Sequence, residues 1–171
     1  MPTELLALRL IHIVCGIFWA GSGLFTALFL APALASSGAN AGQVFAALGR
    51  RKLFVVLPVA ALLTIGSGAR LMYLVSGGFG PTYMGSASGQ AFASSGACAV
   101  LAFLLSLLVG RPAAVRSAAL AAQAVAAPED DRAALARRAA RVRRIGGIAS
   151  TVAVTLLMLA AAGMSVARYV S

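Results

Sequence analysis

His12 is the only histidine in the 171-residue chain. A neutral imidazole ligates haem iron or a transition metal through a ring nitrogen. It serves equally as a hydrogen-bonding group to a neighbouring helix. Arg9 stands three residues earlier, so on a helix the two share a face. Arg70 and Arg168 close two other apolar stretches, and Glu4 is the one carboxylate available to these arginines. Gathered at one level, three guanidinium groups and one carboxylate leave a positive site. Such a site suits a lipid phosphate, a quinone oxygen or a haem propionate. The alternative is three arginines that snorkel separately to the membrane surface.

A second ligand beside His12 must be another residue type or come from another chain. Met164 falls at roughly the depth of His12, counting inward from Arg168 at about 1.5 Å per residue. Methionine is an axial haem ligand and a soft copper ligand, and more commonly only packing. Cys15 and Cys98 lie at similar depth, without zinc spacing or a CxxC pair, and read as small hydrophobes. The four carboxylates are Glu4, Glu129, Asp130 and Asp131, so none falls inside an apolar run. Paired carboxylates, a Ser/His/Asp set and a proton path are therefore missing, which points away from an enzyme and from active transport.

The elements that would hold these residues follow from composition. Hydrophobic residues make up 61% of the chain and charged residues 11%, against roughly 45–50% and about 25% in soluble domains. Mean hydropathy is +0.94. A soluble globular domain, a disordered chain and a disulfide-stapled miniprotein are excluded. Four apolar segments appear, at about 5–34, 53–75, 91–109 and 145–167. Each approaches or exceeds the roughly 20 residues that cross a bilayer core as a helix. The runs do not alternate, so a β-barrel is excluded. The first run is too long for a signal-peptide core and lacks a preceding basic cluster. It reads as a retained transmembrane helix ending near Pro32. The expectation is an all-α, single-domain four-helix transmembrane bundle over residues 1–171.

Basic residues set the orientation. Arg50, Arg51 and Lys52 lie in the first loop, and Arg111, Arg116, Arg132, Arg137, Arg138, Arg141, Arg143 and Arg144 in the third. The positive-inside rule places both loops in the cytoplasm and both termini outside. The net charge of +10 then reflects topology and attraction to anionic lipid. No aromatic platform accompanies the arginines, so nucleic acid is not the expected partner.

The loop 110–144 reads as a helical hairpin extending the third and fourth helices into the cytoplasm. Ala113–Ala127 is a strong helix former. Pro128 with Glu129, Asp130 and Asp131 makes a turn and an acidic helix start. Ser36–Gly42 and Gly77–Gly89 read as flexible turns. Gly16, Ala20, Gly23, Gly66, Gly68, Gly96, Gly146, Ala149 and Ala153 mark close helix approaches. No internal repeat is visible.

Three stretches carry a family resemblance. Leu8–Gly21 reads LRLIHIVCGIFWAG, with an arginine near a histidine and then Gly, Trp and Gly; Gly66–Tyr73 and Met164–Tyr169 go with it. Together they resemble small bacterial membrane proteins related to the CopD-type copper-resistance domain and the protoporphyrinogen oxidase HemJ. Members with a known role bind haem b or are linked to copper. The resemblance implies an inner-membrane location and carries over at His12, with Arg9 as its neighbour. A second helical histidine for a bis-histidine site is absent from this chain. Three readings follow. One is a haem- or redox-linked membrane protein using His12. Another is a non-enzymatic accessory subunit of a larger membrane complex, or a homodimer. The last is a copper- or metal-handling protein with His12 as its ligand.

Overall fold

The computed structural model describes residues 2–36 and 41–170. Among the described residues there is helix and no strand. The elements in chain order are α1 (Pro2–Phe25), a π-helical turn (Thr26–Leu30), α2 (Ala31–Ser36), α3 (Ala41–Arg50), α4 (Leu53–Val75), α5 (Pro81–Met84), α6 (Ala87–Leu105), a second π-helical turn (Ser106–Gly110), α7 (Arg111–Ala126), α8 (Glu129–Val166) and a closing 3₁₀ turn (Ala167–Tyr169). Taken through their π turns these give four helices long and apolar enough to cross a membrane: Thr3–Leu34, Leu53–Val75, Ala87–Ala126 and Glu129–Tyr169.

Two prolines explain the π turns. Pro32 and Pro112 each lack an N–H, and in a regular α-helix their rings collide with the carbonyl four residues earlier. In both helices the chain widens by one residue just before the proline. Ala31 N–H donates to the Thr26 carbonyl, and Arg111 N–H donates to the Ser106 carbonyl. The helix therefore passes through Pro32 as far as Ser36, where the sequence suggests an end near the proline.

The expected turns are also more ordered than glycine content implies. Ala41 and Gly42 begin α3, while residues 37–40 of the expected Ser36–Gly42 turn lie outside the described residues. The Gly77–Gly89 segment contains α5, and α6 starts at Ala87, four residues before the expected boundary. Ser86 causes that early start: its hydroxyl accepts from Gly89 N–H at 3.1 Å, capping the helix.

The interior is built from small residues. Ala60 and Ala61 of α4, Ala99 and Ala102 of α6, and Ala153, Leu157 and Ala160 of α8 surround Trp19 of α1. The Trp19 ring meets Phe103 edge-on, with centroids 6.3 Å apart. The large apolar side chains point the other way: Leu6, Leu10, Ile17, Leu28, Phe29 and Leu108 are all more than half exposed. A water-soluble protein buries its large residues and exposes its polar ones. Small residues inside and large ones outside is the pattern of helices packing in lipid.

Within this interior α1 lies mainly on α4, and α6 lies mainly on α8. Beyond the core α7 runs back along α8 and the two form an antiparallel hairpin turning at Ala127–Pro128. Ala113, Ala124 and Ala139 are its buried residues.

Candidate functional site

The α1–α4 contact is a polar seam inside an apolar bundle. His12 sits half-buried on α1, and its Nδ1 lies 2.7 Å from the Thr64 carbonyl oxygen on α4. A carbonyl only accepts, so Nδ1 carries the proton and donates. In the neutral ring this leaves Nε2 with a lone pair. Among the described residues Nε2 has no hydrogen-bond partner, and it is not sealed from the surface.

Three α4 residues build the seat for the ring. Thr64 turns its hydroxyl onto its own helix, donating to Ala60 O at 2.8 Å, which leaves its methyl group toward Gly16 of α1. Ser67 donates to Leu63 O, and its oxygen lies 3.5 Å from His12 Nδ1. Gly68 gives the ring its room: a Cβ there would stand 2.6 Å from His12 Cε1. No carbon is tolerated at that distance, so any side chain at position 68 displaces the imidazole or the helix.

The other sequence-selected residues are placed around this seam as follows. Arg70, at the end of α4, makes the one ion pair among the described residues, with Glu4: its guanidinium lies 2.8 Å from Glu4 Oε1. The same guanidinium lies 5.5 Å from the centre of the Tyr73 ring. Arg168 bonds to and stacks on its neighbour Tyr169, 4.7 Å from the ring centre. Arg9 is exposed, one helical turn from His12 toward Glu4. The structure thus brings Arg70 and Glu4 together and gives Arg168 a separate partner. Met164 is half-buried on α8, beside Gly163, whose missing side chain makes room for the Ser95 hydroxyl of α6. The hydrogen bond of His12 is with α4. Cys15 and Cys98 are free thiols packed against the alanine core.

Thr64 and Ser67 escape a reading of the sequence because hydroxyls in apolar helices commonly bond only their own backbone. The signal that finds them is their spacing with Gly68: two hydroxyls and a glycine on one face of α4, matching His12 and Gly16 on one face of α1.

The fold and this seam define an all-helical chain of four long apolar helices with one histidine held between the first two. Comparison with protein-family models, with curated proteins and with solved structures finds no match.

Proposed function

We propose that the chain is a multi-pass protein of the bacterial inner membrane, with both termini outside and the α7–α8 hairpin in the cytoplasm, in which His12 serves as a haem b ligand through Nε2. The single observation that supports the haem assignment is the bond from Nδ1 to the Thr64 carbonyl, while the orientation rests on the arginine-rich loops. A histidine that ligates iron or another metal characteristically donates its second ring N–H to a carbonyl or carboxylate, which fixes the tautomer and aims the free nitrogen. His12 meets that requirement, and Gly68 leaves the ring the room to sit there. Haem held there would supply one-electron chemistry at iron. Arg9, exposed on the same face one turn away, is the guanidinium available to a propionate, since Arg70 is engaged with Glu4 and Arg168 with Tyr169. The resemblance of Leu8–Gly21 to CopD- and HemJ-related proteins supports the same residue.

A second reading is favoured by the outer surface of α1. Leu6, Leu10, Ile13, Ile17 and Phe25 are each 55% exposed or more, leaving this helix the least covered of the four. An accessory subunit of a larger membrane complex, or a homodimer, would lay a partner helix there; otherwise the face meets lipid.

Two experiments test the proposal. In a Cys15→Ala, Cys98→Ala background, Ala126→Cys should be protected from an impermeant thiol reagent in intact cells; labelling from outside would reverse the orientation. Purified wild-type protein titrated with haem should develop a saturable Soret band. If the band never saturates and the protein co-purifies with larger membrane subunits, the accessory reading replaces the haem one.

A further inference from the structure

The arginines of the hairpin divide into two tiers of different net charge. The contact of Gly146 with Ala113 fixes the register: a Cβ on Gly146 would lie 3.0 Å from Ala113 Cβ. Arg116 therefore stands level with Arg143, while Arg111, on the other side of Ala113, stands level with Ile148, roughly 4–5 Å inside the apolar edge, from which its long side chain snorkels to the border. The apolar run of α8 ends at Ile145. Counting from there at about 1.5 Å per residue, Arg144 and Arg143 lie within roughly 3 Å of the apolar edge and Arg141 roughly 6 Å from it. All five side chains are exposed, and no carboxylate lies among them.

The far tier is different. Arg137 and Arg138 stand roughly 10–12 Å beyond the apolar edge and Arg132 roughly 20 Å beyond it. There they share the hairpin with Glu129, Asp130 and Asp131, so the tip carries three arginines against three carboxylates. The lipid headgroup layer is about 5–8 Å deep on each side of a core about 30 Å thick. The unbalanced positive charge thus occupies the headgroup layer, and the part that projects past it is neutral. A surface for a soluble acidic partner would carry its charge at the tip. The side chains are also all arginine, whose planar fork matches phosphate oxygens in pairs.

We infer that Arg111, Arg116, Arg141, Arg143 and Arg144 form a basic collar around the base of the hairpin that binds the phosphodiester headgroups of anionic phospholipids at the membrane border. Arginines clustered at this level around a helix pair are suited to such headgroups. This rests on the membrane-spanning reading and is independent of His12.

The probe is full-length protein reconstituted in vesicles of equal parts phosphatidylcholine and phosphatidylglycerol, then extracted in a neutral detergent and assayed for retained lipid. Wild type should retain phosphatidylglycerol over phosphatidylcholine by roughly fivefold or more. R141Q/R143Q/R144Q should retain both lipids equally, and R111Q/R116Q should lose at least half of the enrichment. The tip variant R132Q/R137Q/R138Q, which removes the same number of charges, should keep the wild-type ratio. Glutamine preserves helix propensity, and the two base variants are on different helices, so a folding failure in one leaves the other to decide. No enrichment in wild type, or equal loss in tip and base variants, overturns the lipid surface. Release of wild type from the vesicles by alkaline carbonate would instead overturn the membrane-spanning reading.

Discussion

At the His12 end, α1 and α4 are joined by individual polar groups: one imidazole, one carbonyl, a serine and a glycine that leaves space. In the hairpin, α7 and α8 are joined by alanines repeated along both helices, with charge only on the outside. The first contact is positional. Moving the imidazole by one rotamer breaks it and leaves the Thr64 carbonyl to the Ser67 hydroxyl, which lies 3.1 Å away. The second is distributed, so any one alanine carries a fraction of it. A small-residue interface supplies close approach cheaply in residue types, whereas a hydrogen bond between apolar helices fixes rotation about the helix axis. A hydrogen bond of this kind aims an atom: with Nδ1 on the Thr64 carbonyl, the direction of His12 Nε2 is fixed.

That contrast is sharpest under substitution. Gly68→Val places carbon where the His12 ring lies. It should destabilise the bundle by about 1–3 kcal/mol, the range for overpacking a filled interior, and in addition abolish haem binding. Unfolding in graded SDS, followed by circular dichroism, measures the first effect, and the absorption spectrum measures the second. An unchanged midpoint would mean the seat is not filled as described.

Ala139→Leu overpacks the hairpin by a similar volume. Its cost should be at most about 1–2 kcal/mol, because the two hairpin helices, which lie beyond the alanine core, can part. The effect should be confined to the hairpin: protease susceptibility near Ala127 should rise while the SDS midpoint of the membrane core stays put. Loss of haem binding in this variant would mean that the two regions are coupled, contrary to the comparison.

His12→Ala should cost only about 1 kcal/mol. Hydrogen bonds between membrane helices average roughly 0.6 kcal/mol, and the vacated ring adds a small cavity term. A fold lost on this substitution would make His12 a structural keystone, in place of a ligand held in reserve.

The smallest effect belongs to Glu4→Gln. The Arg70–Glu4 side chains are 48% and 43% exposed, so the pair is screened and is worth under about 1 kcal/mol. The change in SDS midpoint should be slight and should vanish at high salt. A loss as large as that of Gly68→Val would show that the pair is shielded from solvent.

The four apolar helices and the helical nature of segment 110–144 are legible in the sequence because they depend on composition and run length. Individual rotations are not. His12 and Arg9 share a face by their spacing, but whether that face meets α4, α8 or lipid depends on how α1 is turned. The depth count that matches Met164 to His12 is blind to this, and the contacts of His12 run to Thr64, Ser67 and Gly68. The passage of the first helix through Pro32 was hidden for a related reason: a proline forbids one hydrogen-bond register, and the π turn at Thr26–Leu30 supplies another. The pairing of Arg70 with Glu4 was easier, since Glu4 is the only carboxylate outside the hairpin.

Binding of iron by His12 Nε2, with Nδ1 held on the Thr64 carbonyl, is put to the test by one spectrum taken twice. Wild type and His12→Ala, expressed with ample haem and purified side by side, are compared in the Soret region, with circular dichroism as the control for fold. The account predicts a Soret band in wild type that is absent from His12→Ala at unchanged helicity. A colourless wild type, or a band of equal strength in both proteins, contradicts it.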